Sequence, residues 1–158
     1  MIYIVEGPDG GGKTTLCQDL SKMTGFPIIH RSNPKTEEEK KEMMGMYVDC
    51  IRQEKNAIFD RAWYSEMVYG PVMRDKSYVT KEQMLGLERM ALNNGGAMII
   101  HCTDNVEMLW ARCQKRGETY IKGVEVLDII KAGFENIMHR THHILPVLRY
   151  ELSKQKMS

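Results

Sequence analysis

Short apolar runs alternate along the chain with longer segments in which apolar residues recur every three or four positions. The short runs predict buried strands at residues 2–5, 26–30, 57–60 and 97–102. A further run at 146–150 predicts an edge strand, because it begins with a proline that cannot donate a ladder hydrogen bond. The longer segments predict helices at 13–23, 36–53, 80–94, 104–116 and 124–140, and another helix is expected to begin near Trp63.

Strands that alternate with helices in this way are typical of an α/β protein built around a parallel sheet. Several predicted helices begin with a residue that can cap the first turn and carry a second polar acceptor three residues later. These pairs are Thr36 with Glu39, Thr80 with Gln83, and Asp104 with Glu107. No repeat, low-complexity tract or linker divides the chain, so residues 1–158 are expected to form one domain.

Composition places the chain among globular proteins and argues against several other classes. Hydrophobic residues make up 42% of the 158 residues and charged residues 27%, which is enough for a packed core. The formal net charge is +1, so no nucleic-acid partner is expected. No apolar stretch approaches the roughly 20 residues that span a bilayer, and no membrane segment or secretory leader is expected. The four cysteines lack metal-ligand spacing, which favours reduced thiols in the cytoplasm.

A glycine-rich segment between the first strand and the first helix gives the most specific chemical signal. Residues 7–14, Gly-Pro-Asp-Gly-Gly-Gly-Lys-Thr, fit the phosphate-binding pattern G-x-x-x-x-G-K-[ST]. The glycines let backbone N–H groups converge on a phosphate, and the helix N-terminus adds partial positive charge. Lys13 is placed to reach the β- and γ-phosphates, and Thr14 to bind Mg²⁺. The predicted ATP-binding residues are Gly10, Gly11, Gly12, Lys13, Thr14 and Thr15.

Missing motifs narrow the class of nucleotide-binding protein. The chain has no N-K-x-D motif for guanine recognition, and its D-x-x-G lies inside the phosphate loop itself, which argues against a regulatory GTPase. The strand at 97–102 is not followed by the acidic pair that is usual in large ATPases, and the chain is short for that class. A small-molecule kinase is the remaining interpretation.

An Asp-Arg pair closes the third predicted strand. Ligands of open parallel sheets bind where the strands end, so Asp60 is expected to help hold the metal ion. Arg61 offers a planar guanidinium for an anionic group. Ser65 and Tyr69 follow within two helical turns. The structural alternatives are that Asp60 caps the next helix and that Arg61 belongs to a surface ion pair.

Three patches resemble the thymidylate kinase family. The first is the phosphate loop, with Asp9 ahead of Gly10 and a second threonine after Thr14. The second is Asp60-Arg61 followed by Ser65 and Tyr69, and this segment is also similar to deoxynucleoside kinases. The third, which resembles the lid and the helix after it, is Asp104, then Arg112-x-x-x-Arg116-Gly117-Glu118, then Phe134-Glu135.

The resemblance implies a P-loop fold, in which a five-stranded parallel sheet of order 2-3-1-4-5 is flanked by helices and a lid lies at about 113–124. It implies transfer of the ATP γ-phosphoryl group, with Mg²⁺, to a deoxynucleoside 5′-monophosphate, with thymidylate as the leading acceptor. A homodimer is also expected, because thymidylate kinases are commonly dimers.

The same resemblance implies roles for individual residues. Asp9 would accept the sugar 3′-hydroxyl, and Tyr69 would press on C2′ and disfavour ribose. Arg31 and Arg61 would hold the acceptor phosphate, and Ser65 would lie in the same substrate site. The predicted catalytic residues are Lys13, Arg61, Arg112 and Arg116, of which the last two would flank the transferring phosphoryl group.

Two departures from the family leave the acceptor open. His30 stands where the family has a carboxylate before Arg31, and Ala62 stands where an aromatic is frequent. A nucleoside hydroxyl needs a general base, whereas a monophosphate is already a nucleophile near neutral pH. The missing carboxylate therefore favours a monophosphate. The alternatives are a deoxynucleoside, a DNA 5′-end or a modified base as acceptor, and a regulatory module that binds NTP without turnover.

Other suggestive residues have simpler structural interpretations. Arg112 and Arg116 are one helical turn apart and could lie on a solvated face. Tyr47 and Trp63 could stack on a base, although aromatics at such spacing usually pack in a core. A metal site is not expected among the histidines near the C-terminus, because no cysteine or carboxylate is recognised at ligand spacing; these histidines are His139, His142 and His143.

Overall fold

The computed structural model describes residues 1–30, 34, 36–117 and 121–157. In this part of the chain, five parallel strands form a single sheet of order β2-β3-β1-β4-β5. The strands are β1 Ile2–Glu6, β2 Ile28–His30, β3 Ala57–Asp60, β4 Ala97–Thr103 and β5 Val147–Glu151. The predicted α/β class and the sheet order 2-3-1-4-5 are both confirmed.

Helices connect the strands and cover both faces of the sheet. Within the described ranges they are α1 Lys13–Thr24, α2 Glu37–Lys41, α3 Met43–Gln53, α4 Trp63–Arg74, α5 Lys81–Asn93, α6 Val106–Lys115, α7 Val124–His139 and α8 Leu152–Met157. The single helix predicted over 36–53 is interrupted at Glu42, which separates α2 from α3. The short helix α8 was not predicted. The predicted caps at Thr36 and Thr80 are confirmed, and Thr80 forms a reciprocal capping box with Gln83.

The cap predicted for α6 is wrong. Asn105, rather than Asp104, precedes the helix and accepts a hydrogen bond from the Met108 N–H at 3.0 Å. The Asp104 carboxylate is instead engaged by the side chains of Arg112 at 2.7 Å and Ser153 at 2.6 Å. Long-range partners have therefore drawn Asp104 away from the cap that its position in the sequence suggested.

Alternate residues of the strands point into two hydrophobic layers of unequal size. Ile4, Phe59 and Ile99 face the larger layer, which is completed by residues of α3 to α7 such as Trp63 and Phe134. The opposite side chains face a smaller layer that packs against α1; they are Val5, Ile58, Ile100 and Cys102. Because the inner strands are buried on both faces, they appear in the sequence as continuous apolar runs.

All four cysteines are buried as free thiols. Burial raises the pKa of Cys17 and of Cys102 to about 12. The cysteines therefore act as small core residues, as expected from their spacing. Among the described residues, no helix combines the length and the apolar character that a membrane crossing requires.

Candidate active site

The phosphate loop lies at the carboxyl end of the inner strand β1 and leads directly into α1. Gly12 precedes the helix with a left-handed backbone (φ 84°), and Lys13 is the first helical residue. The first N–H groups of a helix have no partners within the helix and point out of its N-terminus. The predicted ATP-binding residues 10–15 therefore surround a place where a phosphate can bind backbone groups.

Two glycines of the loop pack closely against neighbouring backbone and thereby determine the position of the loop. A Cβ at Gly7 (φ 150°) would lie 1.9 Å from the carbonyl oxygen of Cys102 in β4. A Cβ at Gly10 (φ 83°) would lie 2.4 Å from the carbonyl oxygen of Leu109 in α6. A side chain at either position would collide with backbone and would adopt an unfavourable conformation, so the loop requires glycine at both. Backbone contacts therefore hold the loop against β4 and α6.

Lys13 is almost completely buried, and its Nζ donates a hydrogen bond to the Pro8 carbonyl oxygen at 2.8 Å. Burial, and then the positive charge of Arg61, lower the pKa of Lys13 to about 8, although Asp9 acts in the opposite direction. A phosphate would favour the charged amine and reverse this shift. The ammonium group is therefore poised to gain stabilisation when an anion enters the loop.

The two predicted metal-binding residues lie at the same edge of the sheet. Thr14 is exposed in the first turn of α1, and Asp60 is the last residue of β3. The Asp60 carboxylate is 3.4 Å from Nδ1 of His30, the last residue of the neighbouring strand β2. Hydroxyl and carboxylate oxygens are suitable ligands for Mg²⁺. Their use as ligands stays a prediction.

Arg61 follows Asp60 and adopts a left-handed backbone conformation (φ 70°), which is uncommon outside glycine. Its backbone N–H donates to Val5 O at 3.0 Å, and its guanidinium donates to Ser65 Oγ at 2.9 Å and to Asp9 Oδ1 at 3.2 Å. The guanidinium also lies over the ring of Tyr69, 5.2 Å from its centroid. The backbone turn thus directs the cation toward the phosphate loop.

Asp9 and Tyr69 complete this cluster. The Tyr69 hydroxyl donates to Asp9 Oδ2 at 2.6 Å, while Arg61 contacts the other carboxylate oxygen. Asp9 is buried within the phosphate loop, and Tyr69 is held from the other side by an edge contact with Phe134 of α7. The structure therefore brings together Asp9, Arg61, Ser65 and Tyr69, which the sequence predicted as substrate-binding residues. Their binding roles stay predictions.

Glu6 is a buried residue of this cluster that the sequence analysis did not single out. Its carboxylate accepts hydrogen bonds from the N–H groups of Ala62 at 3.1 Å and Ser65 at 2.8 Å, and from the Ser65 hydroxyl at 2.6 Å. It therefore caps the first turn of α4 from the end of β1, where the helix dipole favours a negative charge. Burial raises the pKa of Glu6, although Arg61 and Ser65 oppose that shift.

The two predicted lid arginines occupy different environments. Arg112 donates to the Gly10 carbonyl oxygen at 2.9 Å and to Asp104 at 2.7 Å, so it contacts the phosphate loop directly. Burial raises the pKa of Asp104, but hydrogen bonds from Ser153 and Arg112 outweigh burial and leave the pKa below its ordinary value. Arg116 is the exposed C-cap of α6, and its role at the transferring phosphoryl group stays a prediction.

Two predicted features lie partly or wholly outside the described residues. Arg31, the second predicted phosphate ligand, is one of them. The predicted lid at 113–124 is described except at 118–120. Its described ends are the last residues of α6 and the first residue of α7.

No protein-family model matches the chain. The SPbeta prophage-derived protein YorR of Bacillus subtilis (strain 168) is 29% identical over 130 residues, which cover 82% of this chain and 78% of YorR. The crystal structure of YorR in complex with phosphorylated GDP has a TM-score of 0.78 and 26% identity to this chain. That match covers 98% of this chain and 87% of the YorR chain.

Solved structures of deoxyadenosine kinase from M. mycoides are similar to this chain over almost the whole length of both chains. The dATP complex has a TM-score of 0.66 at 18% identity and covers 99% of both chains. The dCTP complex has a TM-score of 0.64 at 21% identity, covering 99% of this chain and 98% of that one. The fold is that of the P-loop kinases. Within this P-loop kinase fold, the cluster around Arg61 lies beside the phosphate loop, where Arg61 contacts Gly7 and Asp9.

Two contacts in the P-loop kinase fold were missed by the sequence analysis for the same reason. Glu6 and Ser65 are 59 positions apart, and Asp104 and Ser153 are 49 apart. In the sequence, each of these contacts is indicated only by a carboxylate at the end of an apolar strand. That signal becomes informative once the sheet order shows what lies next to each strand end.

Proposed function

We propose that this protein is a kinase that transfers the γ-phosphoryl group of ATP to a deoxynucleoside 5′-monophosphate. The observation that carries the proposal is the cluster beside the phosphate loop. Arg61 is 3.2 Å from Asp9, and Tyr69 is hydrogen-bonded to the same carboxylate. A cation, a carboxylate that can accept a sugar hydroxyl and an aromatic ring are thus assembled next to the donor-phosphate site.

On the donor side, the loop amides and Lys13 would neutralise the β- and γ-phosphates. Mg²⁺ would be held by Thr14 and by Asp60, directly or through water, and would offset the charge that develops on the transferred group. Because phosphoryl transfer needs mainly positioning and charge stabilisation, this part of the protein needs no covalent intermediate. The buried ammonium of Lys13 is suited to that task, since its partner in the loop is a neutral carbonyl.

On the acceptor side, Arg61 would hold the monophosphate in line with the donor, and Asp9 would accept the 3′-hydroxyl. Tyr69 would contact C2′ and select against ribose. Glu6 supports this arrangement without contacting a substrate, because it binds both Ser65 and the first turn of α4. Arg112 and Arg116 would stabilise the transferring group, with Arg112 already at the loop.

The relatives guide the choice of substrates to test. YorR was solved with a phosphorylated guanine nucleotide, so GTP is tested as a donor and dGMP as an acceptor beside dTMP. The deoxyadenosine kinases share only the fold at their level of identity. They nevertheless make deoxynucleosides a necessary part of the panel.

A deoxynucleoside is the second candidate acceptor, and one contact favours it. His30 ends β2 with Nδ1 3.4 Å from the Asp60 carboxylate. An imidazole that is oriented by a carboxylate at Nδ1 can accept a proton from a neutral hydroxyl at Nε2. His30 would then provide the general base that the sequence lacked at this position. A monophosphate acceptor has no use for that base.

The deciding experiment incubates the protein with Mg-ATP or Mg-GTP and each common deoxynucleoside, deoxynucleotide and ribonucleotide, and resolves the products by chromatography. Diphosphate from one or a few deoxynucleoside monophosphates supports the proposal. Arg61→Ala should lower that rate by about a hundredfold, whereas Arg52→Ala, on an exposed face of α3, should leave it unchanged.

Product from deoxynucleosides alone, lost in His30→Ala, would replace the first candidate by the second. Hydrolysis of ATP with no phosphorylated acceptor would count against both. The expected homodimer is a separate proposal, and light scattering after size-exclusion chromatography tests it.

A further inference from the structure

Three side chains away from the phosphate loop bring possible metal ligands together. His101 lies in β4, and Glu135 and His139 are one turn apart in α7. One ligand atom from each residue lies within 4.8 Å of the other two. The expectation that no carboxylate stands at ligand spacing near these histidines is therefore wrong, because Glu135 precedes His139 by four residues on the same helical face.

The two rings are already almost at the separation that a shared metal ion needs. Nδ1 of His101 is 2.9 Å from Nε2 of His139. Tetrahedral zinc with bonds of about 2.1 Å places its ligand atoms about 3.4 Å apart. Accommodating an ion therefore requires His139 to withdraw by only about half an ångström, and His139 is exposed at the surface, where it can move.

The protonation states suit a cation. Burial lowers the pKa of His101 to about 4, and burial also lowers the pKa of His139. Burial thus favours the neutral form of both rings, which is the form that binds metals. Hydrogen bonds from Arg149 lower the pKa of Glu135, so that residue is a carboxylate.

The hydrogen bonds of the cluster leave His101 incompletely satisfied. The residue is fully buried, and its Nε2 has no hydrogen-bond partner among the described residues. Nε2 lies across the ring from Nδ1, and a proton on Nε2 leaves the lone pair of Nδ1 directed at His139, so Nδ1 is the ring atom that can bind an ion.

We propose that His101, Glu135 and His139 form a binding site for a divalent transition-metal ion, Zn²⁺ in the first place. Two imidazoles and one carboxylate match the ligand preferences of zinc and are poor ligands for Mg²⁺. Three protein ligands leave the fourth position to water. This site is separate from the magnesium ligands expected beside the phosphate loop.

Arg149 has a defined place in this site. It is the neighbour of His101 in the register of β4 and β5, and it donates to both Glu135 oxygens at 2.5 and 2.6 Å. Each carboxylate oxygen has a second lone pair, so Glu135 can bind a metal while Arg149 orients it from outside. The positive charge of Arg149 weakens the attraction for the ion, which limits the site to moderate affinity.

A bound ion would link the sheet to α7 next to the proposed acceptor cluster, which consists of Asp9, Arg61, Ser65 and Tyr69. Phe134, adjacent to Glu135, stacks on the His101 ring and makes an edge contact with Tyr69. An ion that fixes α7 against β4 would therefore also fix the ring that supports Tyr69. Its expected consequence is higher stability of this half of the molecule.

The test uses untagged protein that has been treated with a chelator, in nucleotide-free buffer near neutral pH. Calorimetric titration with ZnCl₂ should show one equivalent bound, and zinc should raise the melting temperature. His139→Ala and Glu135→Gln should each weaken binding by tenfold or more. The matched control is His142→Ala, which removes an exposed histidine outside the cluster and should leave the affinity unchanged.

The absorption spectrum of the Co²⁺-substituted protein provides a second readout. Nitrogen and oxygen ligands should give visible bands without the thiolate charge-transfer absorption that cysteine ligands produce. Absence of zinc binding in the unchanged protein would overturn the proposal. Equal affinities in His139→Ala and His142→Ala, or a thiolate band with Co²⁺, would do the same.

Discussion

The phosphate loop is fitted against its neighbours by backbone packing, with side-chain hydrogen bonds from Lys13 and Arg112 added. The proposed acceptor cluster beside it is held mainly by contacts between side chains. Gly7 and Gly10 fit against the carbonyl groups of Cys102 and Leu109 with no room for a Cβ. In contrast, the Arg61 guanidinium is held by the side chains of Asp9 and Ser65, and Ser65 in turn donates to Glu6. A backbone site binds what all nucleotides share, and a side-chain site can change its substrate by single substitutions. The difference implies that, in the proposed kinase, donor binding is the less adaptable property.

The largest effect is expected from Gly7→Ala on the backbone side. A Cβ 1.9 Å from the Cys102 carbonyl oxygen forces β1 or β4 to move, so we expect a loss of about 3 kcal/mol in the free energy of unfolding. Nucleotide binding should disappear with it. Urea denaturation and nucleotide titration measure the two effects.

Gly86→Ala is the matched control for this change. Gly86 is exposed within α5, and an added Cβ would meet nothing within 4 Å. Alanine should stabilise the helix there by about 0.5–1 kcal/mol. Equal stabilities of the Gly7→Ala and Gly86→Ala proteins would show that the loop is not held by backbone packing.

A smaller effect, confined to the acceptor side, is expected from Glu6→Gln. The amide keeps the shape of the side chain but places an NH₂ group among the donors of Ala62 and Ser65. We expect a loss of about 2 kcal/mol in stability and a higher KM for the acceptor, with nucleotide affinity nearly unchanged. The control is Glu82→Gln, which changes an exposed side chain in the first turn of α5. A larger change in nucleotide affinity than in acceptor KM would contradict the separation of the two sides.

The pH dependence of nucleotide binding tests the electrostatics of the donor side. Without nucleotide the pKa of Lys13 is lowered to about 8, chiefly by burial. Phosphates favour the protonated amine, so affinity should be constant below pH 8 and fall above it, by up to about tenfold per pH unit. Calorimetry in buffers of different ionisation enthalpy should show proton uptake on binding above pH 8. Constant affinity up to pH 10 would mean that Lys13 titrates normally.

The smallest effect is expected from Tyr69→Phe, which removes the hydroxyl that donates to Asp9 at 2.6 Å and keeps the ring. Loss of one hydrogen bond corresponds to about 1 kcal/mol, or roughly a fivefold rise in acceptor KM. Selection against ribose should persist, because the proposed contact with C2′ is made by the ring. Tyr3→Phe, in the layer under α1, is the control. An unchanged acceptor KM in Tyr69→Phe would place the acceptor away from Asp9.

The sequence was most informative about features that are formed by residues adjacent to one another along the chain. The phosphate loop and the positions of the strands followed from contiguous patterns, because turn chemistry and strand burial are local properties, whereas the strand order was implied by the resemblance to the thymidylate kinase family. The role of Glu6 did not follow, since its partners are more than fifty positions away and only the pairing of β1 with β3 brings them close.

Two further differences have similar causes. Asp104 had the right residue type for a cap, but its carboxylate is engaged by Arg112 and Ser153, so Asn105 takes that place. The sequence interpretation of His30 considered only that the thymidylate kinase family has a carboxylate at this position. Its neighbour Asp60 belongs to the adjacent strand, and the contact arises from the register of β2 with β3.

The buried thiols of this protein make it convenient for spectroscopic study. Cys17 and Cys102, with pKa values of about 12, present roughly a thousandfold less thiolate near neutral pH than an exposed cysteine does, and the other two cysteines are also buried. A maleimide dye should therefore leave the native thiols unmodified. In the Lys122→Cys protein the dye would mark the exposed segment that leads into α7, and its fluorescence would report movement there as substrates bind.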